Sequence, residues 1–189
     1  SNALLIRGPN VMLGYWNNPA ATAAIISSDG WLNSGDIASI DAQGHVTITG
    51  RLKEIIVLST GEKIPPADME AAILRDPLFE QAMLIGEARS YLSVMVVLNT
   101  AHWQNVVSQY GLDASLNTDQ QRQQVEEILL DKITEQTSEF PGYAKIRRVA
   151  LIQEPWNVEN GLLTPTLKLK RAKVLEKYAR EVERLYAGH

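Results

Sequence analysis

Residues 50–73 read GRLKEIIVLSTGEKIPPADMEAAI, and the chain changes character inside them. Ile55 to Leu58 is an apolar run of strand length, broken at Thr60-Gly61. From Pro65 the period changes. Pro65-Pro66 suits a first helical turn, where a missing N–H costs little. Met69, Ala72 and Ile73 then share one helical face, and Asp76-Pro77 should end the helix. We place a domain boundary near Lys53. Residues 4–52 are short strands and turns, whereas residues 53–189 mix strands with helices.

Upstream, Leu4 to Arg7 reads as a strand stopped by Gly8-Pro9, and Asn17-Asn18-Pro19 as a turn. Thr22 to Ile26 predicts a short helix before Asp29-Gly30. Ile37 to Ile40 and His45 to Thr49 predict a hairpin around Asp41-Ala42-Gln43-Gly44. Val46 and Ile48 should form its buried face. Downstream, Glu80 to Gly86 and Leu92 to Leu98 predict antiparallel neighbours. Helices are expected over 101–110 and 118–137, the second with a stripe of Val125, Leu129, Lys132 and Ile133. Arg147 to Ile152 reads as a strand and Leu163 to Leu169 as a loop. One last helix runs from Lys170, its stripe set by Val174, Tyr178, Val182 and Leu185. On it, Glu176–Arg180 and Lys177–Glu181 are i,i+4 pairs. The class is α+β, with a short antiparallel sheet packed by helices.

The 189 residues are 45% apolar and 21% charged, as in an ordinary folded protein. Lys plus Arg number 18 against 22 Asp plus Glu, a formal net charge of -4. That balance disfavours a generally basic nucleic-acid binder. The sequence has no cysteine, which excludes disulfides and thiolate chemistry. No apolar run approaches the ~18 residues that span a bilayer. Ser1-Asn2-Ala3 reads as a scar of tag removal and is set aside, and no signal peptide follows. Neither common phosphate-loop motif occurs, nor G-x-S-x-G. The three histidines, His45, His102 and His189, lack metal-ligand spacing; His102, beside Trp103, reads as a helix-start residue. Any chemistry must rest on Asp, Arg, Lys and backbone geometry.

Four segments stand out together. They are Gly8-Pro9-Asn10-Val11-Met12-Leu13-Gly14-Tyr15-Trp16-Asn17-Asn18-Pro19; Trp31-Leu32-Asn33-Ser34-Gly35-Asp36; Gly50 to Ile56 continuing through Gly61-Glu62-Lys63-Ile64-Pro65-Pro66 to Glu70; and Leu163-Thr164-Pro165-Thr166-Leu167-Lys168-Leu169-Lys170-Arg171. In order and spacing they resemble the carboxy-terminal motifs of adenylate-forming enzymes, and within that superfamily a long-chain fatty acid–CoA ligase. The resemblance covers about Leu4 to Leu185.

The resemblance implies a two-step reaction. A fatty acid carboxylate attacks ATP, with Mg²⁺ assisting, to give acyl-AMP; coenzyme A then displaces AMP. It implies a small mobile α/β carboxy-terminal domain preceded by the β-rich tail of a larger amino-terminal domain, so the chain would be a fragment without the ATP and acyl sites. Asp36 matches the aspartate that accepts hydrogen bonds from the ribose hydroxyls, a task for an acceptor-only carboxylate. Arg51 matches the arginine near ribose and phosphates, Lys53 the hinge, and Gly61 a glycine beside the pantetheine arm. Lys168 matches the lysine that stabilises the adenylation transition state. The family pattern there is Ser-Gly-Lys after a proline; this chain has Thr166-Leu167-Lys168, which leaves Lys170 as a rival. Glu70 reads as structural, and Trp16, Trp31, Trp103 and Trp156 as packing residues. No metal ligands are assigned. The expected setting is cytoplasmic, with peripheral membrane contact and self-association of the fragment left open. Two other readings stay open: a ligase that passes its product to a carrier protein, and a non-catalytic binding module using Lys168, Lys170, Arg171 and Lys173.

Overall fold

The computed structural model describes residues 3–112 and 119–187. Ser1, Asn2, Thr118 and His189, named above, lie outside the described residues. The chain divides into two compact units between Ile55 and Ile56.

The first unit is a three-stranded antiparallel sheet with one short helix. β1 (Ala3–Ile6) pairs with β2 (Leu32–Ile40), and β2 pairs with β3 (Val46–Arg51). Between β1 and β2 lies α1 (Pro19–Ile25), which starts ahead of the expected Thr22. Its start is set by Asn18, whose side chain accepts the Ala21 N–H at 3.0 Å, with Pro19 next in line. The hairpin between β2 and β3 forms around Asp41, whose Oδ1 accepts from the Gln43 and His45 amides. The expected burial of Val46 and Ile48 is not met: they are 51% and 52% exposed, because none of the described residues covers that face. Trp16, read as a packing residue, is 97% exposed, and Trp31 is open enough to carry Arg7 over its ring at 4.8 Å.

The second unit opens with the two-stranded pair β4 (Ile56–Val57) and β5 (Lys63–Ile64), then α2 (Pro66–Ile73). α2 stops ahead of Asp76, which instead accepts the Leu78 N–H in the turn before the next strand. β6 (Phe79–Ile85) and β7 (Leu92–Leu98) pair antiparallel, as their patterns predict. After α3 (Thr100–Tyr110) and α4 (Asp119–Gln136), β8 (Ile146–Ile152) joins β7 in parallel. A parallel pairing needs a long crossover, and α3 with α4 supplies it.

Both faces of this sheet are buried. Leu84, Val94 and Val96 face a core with Ile73, Leu129 and Ile133; Met83, Met95 and Val97 face another with Trp156, Val174 and Leu185. Alternate residues therefore all avoid water, and β7 reads as an apolar run broken only by the buried Ser93. Trp156 is in the second core and Trp103 packs beside the first, as expected. His102 lies in the first turn of α3, its N–H donated to Asn99.

The single last helix is instead two, α5 (Arg171–Lys177) and α6 (Ala179–Tyr186), meeting at Tyr178. Hydrogen bonds from the Tyr178 amide to Val174 and from the Val182 amide to Tyr178 persist. The break is thus a local bend, and it keeps Val174 and Leu185 on one core. Lys177 leaves its expected partner Glu181 for Glu154, at 2.7 Å. The end of α6 is latched by Tyr91, whose hydroxyl donates to the Leu185 carbonyl, and by Tyr186, whose hydroxyl donates to Ile85. Burial pushes the Tyr186 phenol above its ordinary pKa.

Gly86 shows how close the packing is. A Cβ there would lie 2.7 Å from Leu92 and 3.1 Å from both Ile56 and Leu58, all buried. Gly86→Ala is expected to destabilise the second unit by ~1–3 kcal/mol through overpacking. Urea denaturation checks this, and an unchanged midpoint would contradict it.

Candidate functional site

Asp36 and Arg51 lie in the first unit as cross-strand partners on β2 and β3. The Arg51 Nε donates to Asp36 Oδ1 at 3.0 Å; Arg51 is more than half exposed, Asp36 about one quarter. The strand is irregular here. Gly35 sits at φ +75°, the Ser34 hydroxyl accepts the Asp36 amide, and the register shifts between Ile37 and Ala38. Such a bulge turns a side chain out of the regular pleat. The pair presents an acceptor and a planar cation side by side at an open surface, suited to a polyol next to an anion. Lys53 follows in a short 3₁₀ turn, Leu52–Glu54, and is exposed.

Gly61 and Lys168 belong to the second unit. Gly61 closes the turn between β4 and β5, its amide donated to Leu58 at 2.9 Å. Its φ of +95° favours glycine, and a Cβ would meet nothing within 4 Å. The space beside it is open.

Lys168 sits on a small closed loop. Leu163 and Leu169 form a bridge, and the Lys170 N–H reaches the Leu162 carbonyl at 2.9 Å. Inside the loop, the Thr164 N–H donates to the Lys168 carbonyl, and the Lys168 N–H donates to the Thr164 hydroxyl. Lys168 is exposed, and its ammonium has no hydrogen-bond or ion-pair partner among the described residues. Lys170 is half-buried as the residue before α5. Leu167, where the family pattern has glycine, takes φ +60°. The left-handed turn is kept without the residue that adopts it freely.

One pairing was not foreseen. Arg171 Nη1 donates to Glu70 Oε1 at 2.6 Å, and Arg171 Nη2 donates to the Leu84 carbonyl. The same Glu70 oxygen accepts the Leu84 N–H at 2.7 Å. Leu84 lies on the outer edge of β6, so the two side chains satisfy its backbone as a neighbouring strand would. Glu70 thus ties α2 to the sheet edge and to Arg171 through one oxygen. The available signal was a Glu on the second-unit helix and an Arg in the fourth motif, but nothing local links them. A groove along β8, walled by α4 and α6, contains none of these residues. Among the described residues no cluster of His, Asp or Glu could hold a metal ion.

Leu167 is largely exposed, so its side chain contributes little burial while its backbone is strained. Leu167→Gly is expected to hold or raise the stability of the second unit, by up to ~1 kcal/mol, and Leu167→Val to lower it by ~1–2 kcal/mol. Thermal melting of the two variants checks the opposite signs.

The described residues include no helix long and apolar enough to cross a membrane. Residues 53–189 match the family model described as AMP-binding enzyme C-terminal domain. Over 185 residues the chain is 35% identical to a putative fatty-acid–CoA ligase, fadD11, of Mycobacterium tuberculosis, covering 97% of this chain and 32% of that protein. Over 192 residues it is 31% identical to the long-chain-fatty-acid–[acyl-carrier-protein] ligase AEE15 of Arabidopsis thaliana, covering 96% of this chain and 25% of that protein. The A domain of a carboxylic acid reductase from Segniliparus rugosus, solved with AMP and a carboxylic acid, matches with a TM-score of 0.81 at 28% identity. That match covers 98% of this chain and 28% of the other. The chain therefore spans about a quarter to a third of the length of these relatives. It belongs to the adenylate-forming, AMP-binding enzymes and carries their carboxy-terminal domain.

Proposed function

We propose that this chain is the carboxy-terminal part of an ATP-dependent acyl-CoA synthetase that activates a fatty acid as acyl-AMP and transfers it to coenzyme A. The observation that carries the reading is the exposed ammonium of Lys168, without a partner among the described residues, on a loop closed at its base. An ion-paired lysine would have to break its pair before it could meet an anion; this one does not.

In the first step a carboxylate oxygen bonds to the α-phosphorus of ATP, and the bond to pyrophosphate breaks. Negative charge passes from the carboxylate to the α-phosphate oxygens. Lys168 neutralises charge on both, which favours the transition state over the separated ground state. Asp36 takes the ribose hydroxyls through its acceptor oxygens, and Arg51, beside it, faces the phosphates. In the second step the thiol of coenzyme A bonds to the acyl carbon and AMP leaves. Gly61 keeps the pantetheine path open. Lys53 is the hinge between the two arrangements: it is exposed and lies in a short 3₁₀ turn rather than in a strand or long helix. A Mg²⁺ assisting the first step would be held chiefly by the phosphates of ATP.

On this reading a larger ATP-handling lobe precedes the chain. The exposed Leu13, Trp16, Val46 and Ile48 are the apolar surface it would cover, and the chain alone should self-associate and release no pyrophosphate from ATP and fatty acid. A cytoplasmic setting goes with this reading, and peripheral membrane contact is part of neither step. A second reading, in which the acceptor thiol belongs to a carrier protein, is favoured by the carrier-protein ligase among the relatives. Parallel assays with coenzyme A and a pantetheinylated carrier separate the two. A nucleic-acid or membrane module based on Lys168, Lys170, Arg171 and Lys173 is disfavoured, because Arg171 is bound to Glu70 and Leu84.

In the full-length protein, Lys168→Ala should lower acyl-AMP formation by ~10²–10³ and largely spare thiol attack on supplied acyl-AMP. Pyrophosphate release and single-turnover thioester formation measure the two steps. Equal loss in both would argue against the assignment, and Lys170→Ala should have the smaller effect on the first.

A further inference from the structure

We propose that Arg171 and Glu70 are a positioning pair for Lys168, acting on acyl-AMP formation through the loop that carries it. The proposal rests on the adenylation role of Lys168 given above. A pair distant in sequence sets where that ammonium stands.

The loop is held from both sides. On its amino side, the Leu162 and Leu163 amides donate to the Asn157 carbonyl at 3.2 and 3.0 Å. On its carboxyl side, Arg171 follows Lys168 by three residues and opens α5. Its guanidinium is held by two acceptors, the Glu70 carboxylate on α2 and the Leu84 carbonyl on β6. A planar fork bound at two points fixes direction as well as distance. Both side chains are about four-fifths buried, so water competes weakly for them. Leu163 and Leu169 pack on the core beneath, but apolar contact alone sets position loosely. The ammonium needs a placement within about half an ångström, which flexible methylene groups do not supply without a fixed base.

Glu70 has a double task. It accepts the Leu84 N–H and the Arg171 N–H with the same oxygen. Through that oxygen, the edge of β6 and the base of the Lys168 loop share one anchor. Losing either side chain releases the loop from the sheet without emptying the core.

The test uses the full-length enzyme with Arg171→Met and Glu70→Gln, each alone and combined with Lys168→Ala. Acyl-AMP formation should fall at least tenfold in each single variant, in kcat more than in KM. Thiol attack on supplied acyl-AMP should stay within twofold. In the Lys168→Ala background, Arg171→Met should add less than a twofold further loss, since it acts through the missing amine. In the 189-residue chain, amide exchange at Leu167 and Lys168 should quicken at least tenfold in Arg171→Met, with Val94 and Met95 unchanged. If Arg171→Met does not fold, Glu70→Gln, which keeps an oxygen toward Leu84, carries the same readouts.

Equal loss in both half-reactions, or undiminished loss in the Lys168→Ala background, would make the pair merely structural and overturn the proposal. Wild-type activity in Arg171→Met beside an inactive Lys168→Ala would overturn it and leave the Lys168 assignment standing. Intact acyl-AMP formation in Lys168→Ala would overturn both.

Discussion

A strand with water on neither face sets the terms for the second unit. Leu92 to Val97 are buried along β7, and such a strand needs a partner at each edge and an apolar layer on each side. β6 and β8 supply the edges. Ile73 of α2 with Leu129 and Ile133 of α4 cover one face; Val174 of α5 with Leu185 of α6 cover the other. The outer edge of β6 must then find hydrogen-bond partners outside the sheet. Glu70 and Arg171 provide them at Leu84. The base of the Lys168 loop is fixed by the same requirement that closes the sheet.

That origin separates two kinds of cation. Arg89, Lys132, Arg148, Arg171 and Lys177 each stand against a carboxylate. Their charge is used within the fold. Lys168 is exposed with no such partner among the described residues, on a loop whose backbone is bonded across its own base. A charge left unpaired on a held loop is what an anionic transition state can use, because little must be reorganised when it arrives. Asp36 and Arg51 follow a different logic: they pair with each other while remaining open to solvent, ready to be shared with a third group.

Much of the fold was legible because the deciding patterns are local. Pro65-Pro66 marks the start of α2, and the stripe of Val125, Leu129 and Ile133 faces the core as its spacing requires. Where local patterns misled, a longer-range condition intervened. Val46 and Ile48 alternate as a buried face should, yet no described layer covers them. The stripe from Val174 to Leu185 looks like one helix, yet it bends at Tyr178. Lys177 prefers Glu154 in space to Glu181 one turn along. Leu167 stands where glycine is usual, and its turn survives because the bonds around Thr164 and Lys168 outweigh the strain of a left-handed leucine.

The amino-acid sequence alone determined most of the segments that become strands and helices, and it set apart the four motifs on which the family resemblance rests. Spacing over a few residues encodes those properties directly. Tertiary structure alone decided that β8 joins β7 in parallel, that Asp36 meets Arg51 across a bulged hairpin, and that Arg171 reaches Glu70 from 101 residues away. Those contacts depend on register and on the packing of distant segments, and a hydrogen bond between them exists only once the core has brought their backbones together.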